Sequence, residues 1–450
     1  MVTASPHSKR YISLAAAVST LGGFLFGYDT IVISGAIGYL SIHFHLDPIG
    51  MGWAASSALI GCVVGSAGAG AVADRIGQKR ASLLCAICFA VSSIGVSTAA
   101  DLTQFSAWRI IAGLGIGAAS IVSPLYISEV SPTRFRGRLV ALYQLGIVVG
   151  ALAAVIINMA IQKMGDEAWN AAVGWRSMLF AGIVPAVLFG ILIIPSVESP
   201  RWLMKMGKRE EAIDVLAKLN GPDSATQEAR DIEESLGLET GKFSELFGSF
   251  RRPLLLGIML AGLSQISGIE PLWSFLPEVF HLAGTNRSDA FMQTVLVSLV
   301  NLVFTIVGLL LVDKAGRKKL IVIGTLLQFL SFAFVGLFYH VHASGQLVLV
   351  FIMIFIAGHA FGNGVACWVI ISEVYPTKVR GRGMSIAITA LWVIGFAGNQ
   401  CFPSMQSRLG TDGTFWCFSA GALLNLLAVL FFVPETKGRS LEEITRIWTT

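Results

Sequence analysis

Ser128-Glu129-Val130-Ser131-Pro132-Thr133-Arg134-Phe135-Arg136-Gly137-Arg138 returns 244 residues later as Ser372-Glu373-Val374-Tyr375-Pro376-Thr377-Lys378-Val379-Arg380-Gly381-Arg382. A second pair travels with it. Gly70 and Asp74-Arg75-Ile76-Gly77-Gln78-Lys79-Arg80 are matched by Gly308 and Asp313-Lys314-Ala315-Gly316-Arg317-Lys318-Lys319. Apolar segments surround both motifs. They run over 12–38, 51–73, 81–100, 104–126, 138–160 and 175–195, then over 252–280, 291–312, 319–340, 346–371, 383–404 and 414–433. In each set the first motif falls between the second and third segments, and the other follows the fourth.

A membrane-crossing helix needs about 20 mainly apolar residues. Of the 450 residues, 54% are hydrophobic, enough for twelve such helices. Mean hydropathy is +0.73 and only 13% of residues are charged, about half the share in a soluble domain. A soluble enzyme, a secreted disulfide scaffold and a nucleic-acid binder are all excluded on these grounds. The expected fold is an all-α polytopic membrane protein: twelve transmembrane helices in two pseudo-symmetric six-helix bundles. The first bundle covers 1–195 and the second 253–433, with a cytoplasmic linker at 196–252 and a tail at 434–450. Parallel repeats of this kind place a solute site between the bundles, near the bilayer midplane.

The linker holds 20 of the charged residues within 57 positions. Ala212, Val215, Leu216 and Leu219 follow i, i+3, i+4, i+7 spacing, which predicts an amphipathic helix there. Lys and Arg concentrate on one side: 27 of 32 fall there, against Lys163, Arg176, Arg287 and Arg408 on the other. Arg109 falls inside a segment. By the positive-inside bias both termini face the cytoplasm, in a plasma (inner) membrane.

The six cysteines sit inside apolar runs, so the Cys85–Cys88 pair reads as structural thiols rather than a redox or metal motif. His43 with His45, and His340 with His342, read as solvated loop residues. The sequence has no phosphate loop, HExxH or GxSxG. No cofactor, metal or nucleic acid is expected, and the partners are a solute, a proton and the lipid bilayer. One chain suffices for a path, so a monomer is expected.

The loop acids and bases can pair with each other and with helix ends. Asp74, Arg75, Glu129, Arg136, Asp313, Arg317, Glu373 and Arg380, joined by Glu198 and Glu435 after the sixth and twelfth segments, are candidate gating residues. Gly70 and Gly308 are expected to let helices approach closely.

These motifs resemble the sugar porter family of the major facilitator superfamily. Gly22-Gly23-Phe24-Leu25-Phe26-Gly27-Tyr28-Asp29-Thr30 is similar to its first-helix motif. Glu198-Ser199-Pro200-Arg201-Trp202-Leu203 resembles its signature after helix six, and Pro434-Glu435-Thr436-Lys437-Gly438 the one after helix twelve. The resemblance covers nearly the whole chain. It implies secondary transport by alternating access.

Asp29 on the first helix and Arg109 on the fourth are charges that fall inside the membrane. Buried carboxylates protonate or find a cation. An acid that alternates between the two can couple a proton gradient to a conformational cycle. Asp29 is the expected proton carrier, with Arg109 tuning it, and the resemblance agrees because proton symporters of this family carry Asp there. A static ion pair is the alternative.

A sugar site needs amides or carboxyls and an aromatic platform. Gln144, Gln265, Asn301, Trp368 and Trp392 supply these types, and the resemblance places the first four on the family's sugar site. The seventh helix departs from the family pattern. Ser264 stands for a first glutamine and Glu270 for an asparagine, with Ser274 and Phe275 where tyrosines are common. Ala151 and Gly395 also replace polar residues. Pro271 is expected to break the helix. The expected function is proton-coupled symport of a sugar or polyol-like solute. Other readings are a small organic ion recognised through Glu270, a facilitative uniporter, or a non-transporting nutrient sensor.

Overall fold

The computed structural model describes residues 6–131, 136–238, 243–376 and 379–437. Among the described residues, eleven helices are long and apolar enough to cross a membrane. The last, Arg380–Phe432, has 53 residues. Unbroken it would be about 80 Å long, more than twice a hydrocarbon core. It breaks at Gly410, whose φ of 74° and ψ of 168° are non-helical, and supplies two spans. The twelve spans are Pro6–His43, Pro48–Ile76, Gln78–Thr98, Leu102–Val130, Arg136–Gln162, Glu167–Ile193, Arg251–Leu282, Arg287–Ala315, Arg317–His340, Gly345–Val374 and the two parts of Arg380–Phe432. Every apolar segment of the sequence is a span. The sixth begins eight residues before the expected 175, because Asp166 caps it by accepting from Trp169 N at 2.8 Å.

The outer surface of the helices is apolar. Leu84, Ile87, Val91 and Ile94 on the third span are exposed, as are Leu424, Leu427, Leu430 and Phe431 on the twelfth. In water such stripes would be a liability; against lipid they are the required surface. Between lipid-exposed helices the hydrophobic drive is weak, so small residues decide the packing. Gly23 and Gly27 of the first span face carbonyls of Tyr143 and Ile147, and Gly146 and Gly150 of the fifth face carbonyls of Thr20 and Phe24. Gly61 and Gly65 mesh with Gly113 and Gly117 in the same way, joining the second span to the fourth. Any side chain there would collide with backbone. Gly308 likewise lies against Phe361, but Gly70 faces open space. The expectation of close packing at Gly70 is therefore corrected, since its helix face meets no neighbour.

The even-numbered spans of the first half, and the eighth and tenth, begin at one face, the loop face. Asp47, Asp101, Asp166, Asn286 and Ser344 each accept a backbone N–H at these starts, as N-caps do. Asn286 caps the eighth span, accepting from Asp289 N at 2.9 Å. His43 is half-buried near Trp175 and 3.3 Å from Arg176, so it is not a simply solvated residue.

At the opposite face the chain between the sixth and seventh spans forms the helices Pro200–Lys205, Arg209–Asn220, Pro222–Leu238 and Phe243–Phe247. Ala212, Val215, Leu216 and Leu219 are buried, as their spacing predicts. This face is called the linker face below.

The seventh span is broken, but not at Pro271. The first segment ends at Ile266 and the second starts at Ile269, with Gly268 in the left-handed region at φ 81°. Pro271 is third in the new helix, in a first turn whose N–H groups lack intrahelical acceptors, so its ring costs little there. Phe418 of the twelfth span packs against Gly268 and fills the place of a side chain.

Candidate functional site

Asp29 and Arg109 meet inside the first half. Arg109 Nη1 donates to Asp29 Oδ2 at 3.5 Å, and the side chains are only 3% and 10% exposed. Arg109 Nε has no partner. A guanidinium has five N–H donors, so this one is weakly satisfied for a buried cation.

The break at Gly268 sets the other wall. It puts Gln265 at the end of one segment and Glu270 in the first turn of the next. Gly395 of the eleventh span lies opposite both. A Cβ there would be 3.6 Å from Glu270 Cγ and 3.8 Å from Gln265 Oε1, so the glycine leaves room where a longer side chain would fill it. One turn further, Asn399 donates to Ser274 Oγ at 3.0 Å, while its own Oδ1 is buried without a partner. Trp392 is buried with Nε1 unpartnered, its ring 6.0 Å from Phe26.

These groups share one small cavity. Thr30, Cys62 and Arg109 line it from the first half; Glu270, Ser274, Trp392 and Asn399 line it from the second. It lies between the bundles, and it holds donors, acceptors and an indole platform. Orphaned buried polar atoms are costly unless a ligand or water meets them. Trp392 Nε1, Asn399 Oδ1 and Arg109 Nε are three such atoms.

The structure gathers some of the expected residues and separates others. Glu270, Trp392, Arg109 and, behind Arg109, Asp29 come together. Gln265 is adjacent through Gly395, with its Oε1 buried and unpartnered. Ser264 donates to Ala261 O of its own helix at 2.7 Å. Gln144, Asn301 and Trp368 are half-buried and are not among the residues lining this cavity. Asn399 and Thr30 were missed from the sequence. Asn399 lies seven residues after Trp392, two turns along the same face, and that spacing was the available signal.

The charged loop residues form two matching clamps at the linker face. Glu198 accepts from Lys79 N at 3.0 Å, at the start of the third span. Glu435 accepts from Arg317 N at 3.1 Å, at the start of the ninth. Asp74 pairs with Lys205 at 2.8 Å, and its carbonyl accepts from Trp202 Nε1. Glu129 accepts from Ser199 Oγ and faces Arg201. In the second half Arg317 pairs with Asp313 at 2.9 Å and Glu373 at 3.3 Å, and Arg380 Nε donates to Tyr375 O. Arg75 is exposed at the end of the second span. The side chain of Arg136 lies outside the described residues. Each of these contacts joins one half to itself or to the segment that follows it.

The loop face is joined across the halves instead. Arg287 of the eighth span contacts Glu278 at 2.8 Å and Glu167 of the sixth at 3.2 Å, over the ring of Tyr39. Gln400 of the eleventh span accepts from Ser56 Oγ at 3.0 Å and donates to Ile49 O at 3.1 Å.

Known proteins are similar to this chain over nearly its whole length. The family described as Sugar (and other) transporter matches residues 15–448. The arabinose-proton symporter of Bacillus subtilis is 40% identical over 98% of this chain and 96% of its own. The D-xylose-proton symporter of Escherichia coli is 35% identical over the same shares. The partially occluded, inward-open structure of the E. coli xylose transporter superposes with a TM-score of 0.87 at 33% identity, covering 96% of this chain and all of that one. Its form bound to 6-bromo-6-deoxy-D-glucose gives 0.83 at 34% identity, covering 98% and 100%. Matched over its length by the family and by these relatives, the chain belongs to the sugar transporters, the sugar porter family of the major facilitator superfamily.

Proposed function

We propose that the protein is a proton-coupled sugar symporter that works by alternating access. The observation that carries the reading is the buried Asp29–Arg109 pair beside a polar cavity shared by the two bundles. The relatives named above, arabinose- and xylose-proton symporters, support a pentose-like solute. The solute sits between Trp392, Asn399 and Gln265 on one side and Thr30 on the other. Its hydroxyls meet the orphaned polar atoms, and its ring face meets the indole. The remaining candidates, Gln144, Asn301, Trp368 and Ser264, join the site when the bundles rearrange around the solute.

Asp29 takes a proton from one side of the membrane and gives it up to the other. Protonation removes its claim on Arg109, and that change in a low-dielectric site is worth several kcal/mol to the balance between states. The clamps at Glu198 and Glu435 keep each bundle rigid as the two rock. The bundles are 1–195 and 253–433, the linker 196–252 and the tail 434–450. The protein acts as a monomer in the plasma membrane, with the linker face cytoplasmic. This assignment follows from the excess of Lys and Arg on that face.

The test is uptake of labelled L-arabinose and D-xylose into proteoliposomes with and without an imposed pH gradient. Accumulation above equilibrium only with the gradient supports symport. Asp29→Asn should abolish accumulation and retain exchange. Equilibrating uptake by the native protein, indifferent to the gradient, would make it a uniporter.

A further inference from the structure

We propose that a groove between the second, third and fourth spans holds an acyl chain of one anionic phospholipid, whose phosphate is bound by Arg75 and Arg80 at the linker face. The proposal does not depend on the transport reading.

The groove has a volume of about 260 Å³ and shares no lining residue with the cavity between the bundles. Gly65, Gly68 and Val72 line it from the second span, Leu84 and Cys88 from the third, and Ala118 from the fourth. No residue lining it carries a charge. Val72 and Leu84 are exposed, so the groove opens onto the outer surface of the bundle. Small residues let helices close on one another, yet a Cβ on Gly68 would meet nothing within 4 Å. Gly70 is equally open, whereas its counterpart in the repeat, Gly308, lies against Phe361. The first half thus leaves a space where the second is packed. An empty space forfeits dispersion contacts, and in a bilayer the molecules at hand to fill it are acyl chains.

Charge decides which lipid. Arg75 follows Val72 by three residues and Arg80 precedes Leu84 by four, so helical spacing puts both on the groove's own side at its linker-face end. Both are exposed, and neither has a hydrogen-bond or ion-pair partner among the described residues. They flank the turn at Gly77. The acids nearest in the chain and at the turn are already engaged: Asp74 pairs with Lys205 at 2.8 Å, and Glu198 accepts from Lys79 N and Ser199 N, each at 3.0 Å. Guanidinium forks match phosphate oxygens, and basic pockets between helices on the cytoplasmic side suit anionic headgroups. A zwitterionic headgroup brings its own cation to the same place and gains less. Ser66 of the second span meets Ser385 and Thr389 of the eleventh, so the lipid backs a span that touches the other bundle.

The experiment compares melting temperatures of the delipidated full chain in detergent with added dioleoyl phosphatidylglycerol, dioleoyl phosphatidylcholine or glycerol phosphate. Phosphatidylglycerol should raise the native value by about 3 °C more than phosphatidylcholine does. Arg75→Gln with Arg80→Gln should lose that preference. Gly68→Phe, whose ring fills the groove, should lose it too. Lys314→Gln with Lys319→Gln removes the same charge from the matched turn of the second half and should keep it. The arginine variant carries the test alone if the Phe protein is not recovered folded. Equal effects of the two lipids overturn the proposal, as does a preference retained by the arginine variant or by a folded Phe variant. Loss in the lysine variant also overturns it, by showing a diffuse response to basic charge. A rise with glycerol phosphate as large as that with the lipid overturns it as well, and makes the turn a site for free phosphate.

Discussion

Arg287 and Glu167 belong to different halves of the protein and meet at 3.2 Å over the loop-face entrance. Arg287 also holds Glu278 of the seventh span at 2.8 Å, so one guanidinium ties the sixth, seventh and eighth spans together. The pair closes the state seen here and must part when this face opens. Glu167 is 73% exposed, so the tie is weak and salt-sensitive. Arg287→Gln should shift the population toward loop-face opening by roughly two- to fivefold. The check is the rate at which a cysteine placed at Ser56 is alkylated from the loop face, with the native cysteines replaced. An unchanged rate would mean that the Arg287 tie does not hold the entrance.

Gly268 should tolerate no side chain. Its φ of 81° is costly for an L-residue, by about 1–2 kcal/mol, and a Cβ would lie 2.5 Å from the Phe418 ring. Gly268→Ala should lower the melting temperature of the purified protein and reduce transport. Adding Phe418→Ala should recover part of the stability, because it removes the clash but not the strain. Full recovery would show that the backbone angle is unimportant.

Asn399 should matter to the solute more than the family-type amides Gln144 and Asn301, which do not line the cavity. Asn399→Ala removes an unpartnered acceptor at the cavity wall and the donor to Ser274 Oγ. A single neutral hydrogen bond is worth about 0.5–1.5 kcal/mol, so sugar affinity should fall roughly two- to tenfold. Titration of Trp392 fluorescence with sugar would report it. Equal affinity would place the solute elsewhere.

Glu198 and Glu435 should behave as twins. Each accepts a backbone N–H at a helix start in its own half, a role in which removal costs about 1 kcal/mol. Glu198→Ala and Glu435→Ala should lower thermal stability by similar amounts while sugar affinity stays near native. Gly77→Ala and Gly316→Ala should be worse than either, because both glycines have φ near 95° and a Cβ would press on the capping carboxylate. A large asymmetry between the twins would show that one of them also crosses between the halves.

Much of this was written in the sequence. Twelve apolar runs and a doubled loop motif announce twelve spans in two copies, because hydropathy needs only one helix at a time to be read. The Asp29–Arg109 couple was legible for a similar reason: two lone charges in apolar runs have few other partners. The cavity wall was not. Whether Asn399 or Gln144 lines it depends on how each helix is rotated against its neighbours, and one helix's sequence does not carry that phase. Pro271 was the obvious breaker, yet a proline in a first helical turn breaks nothing, and the left-handed residue was the glycine three places earlier. Gly70 misled because a small residue permits close packing without requiring a neighbour.

The second segment of the seventh span, Ile269–Leu282, is a stiff rod hinged at one end. Its acid near the hinge, Glu270, faces the cavity, and its acid near the tip, Glu278, faces Arg287. Ten residues separate Glu278 from the hinge glycine, about 15 Å along the axis. A swing of about 15° at Gly268 therefore moves the tip by about 4 Å, farther than the bond to Arg287 can stretch. A sub-ångström tug beside the solute is geared up into the opening or closing of a doorway two helical turns away, and the gear ratio is set by where the glycine sits.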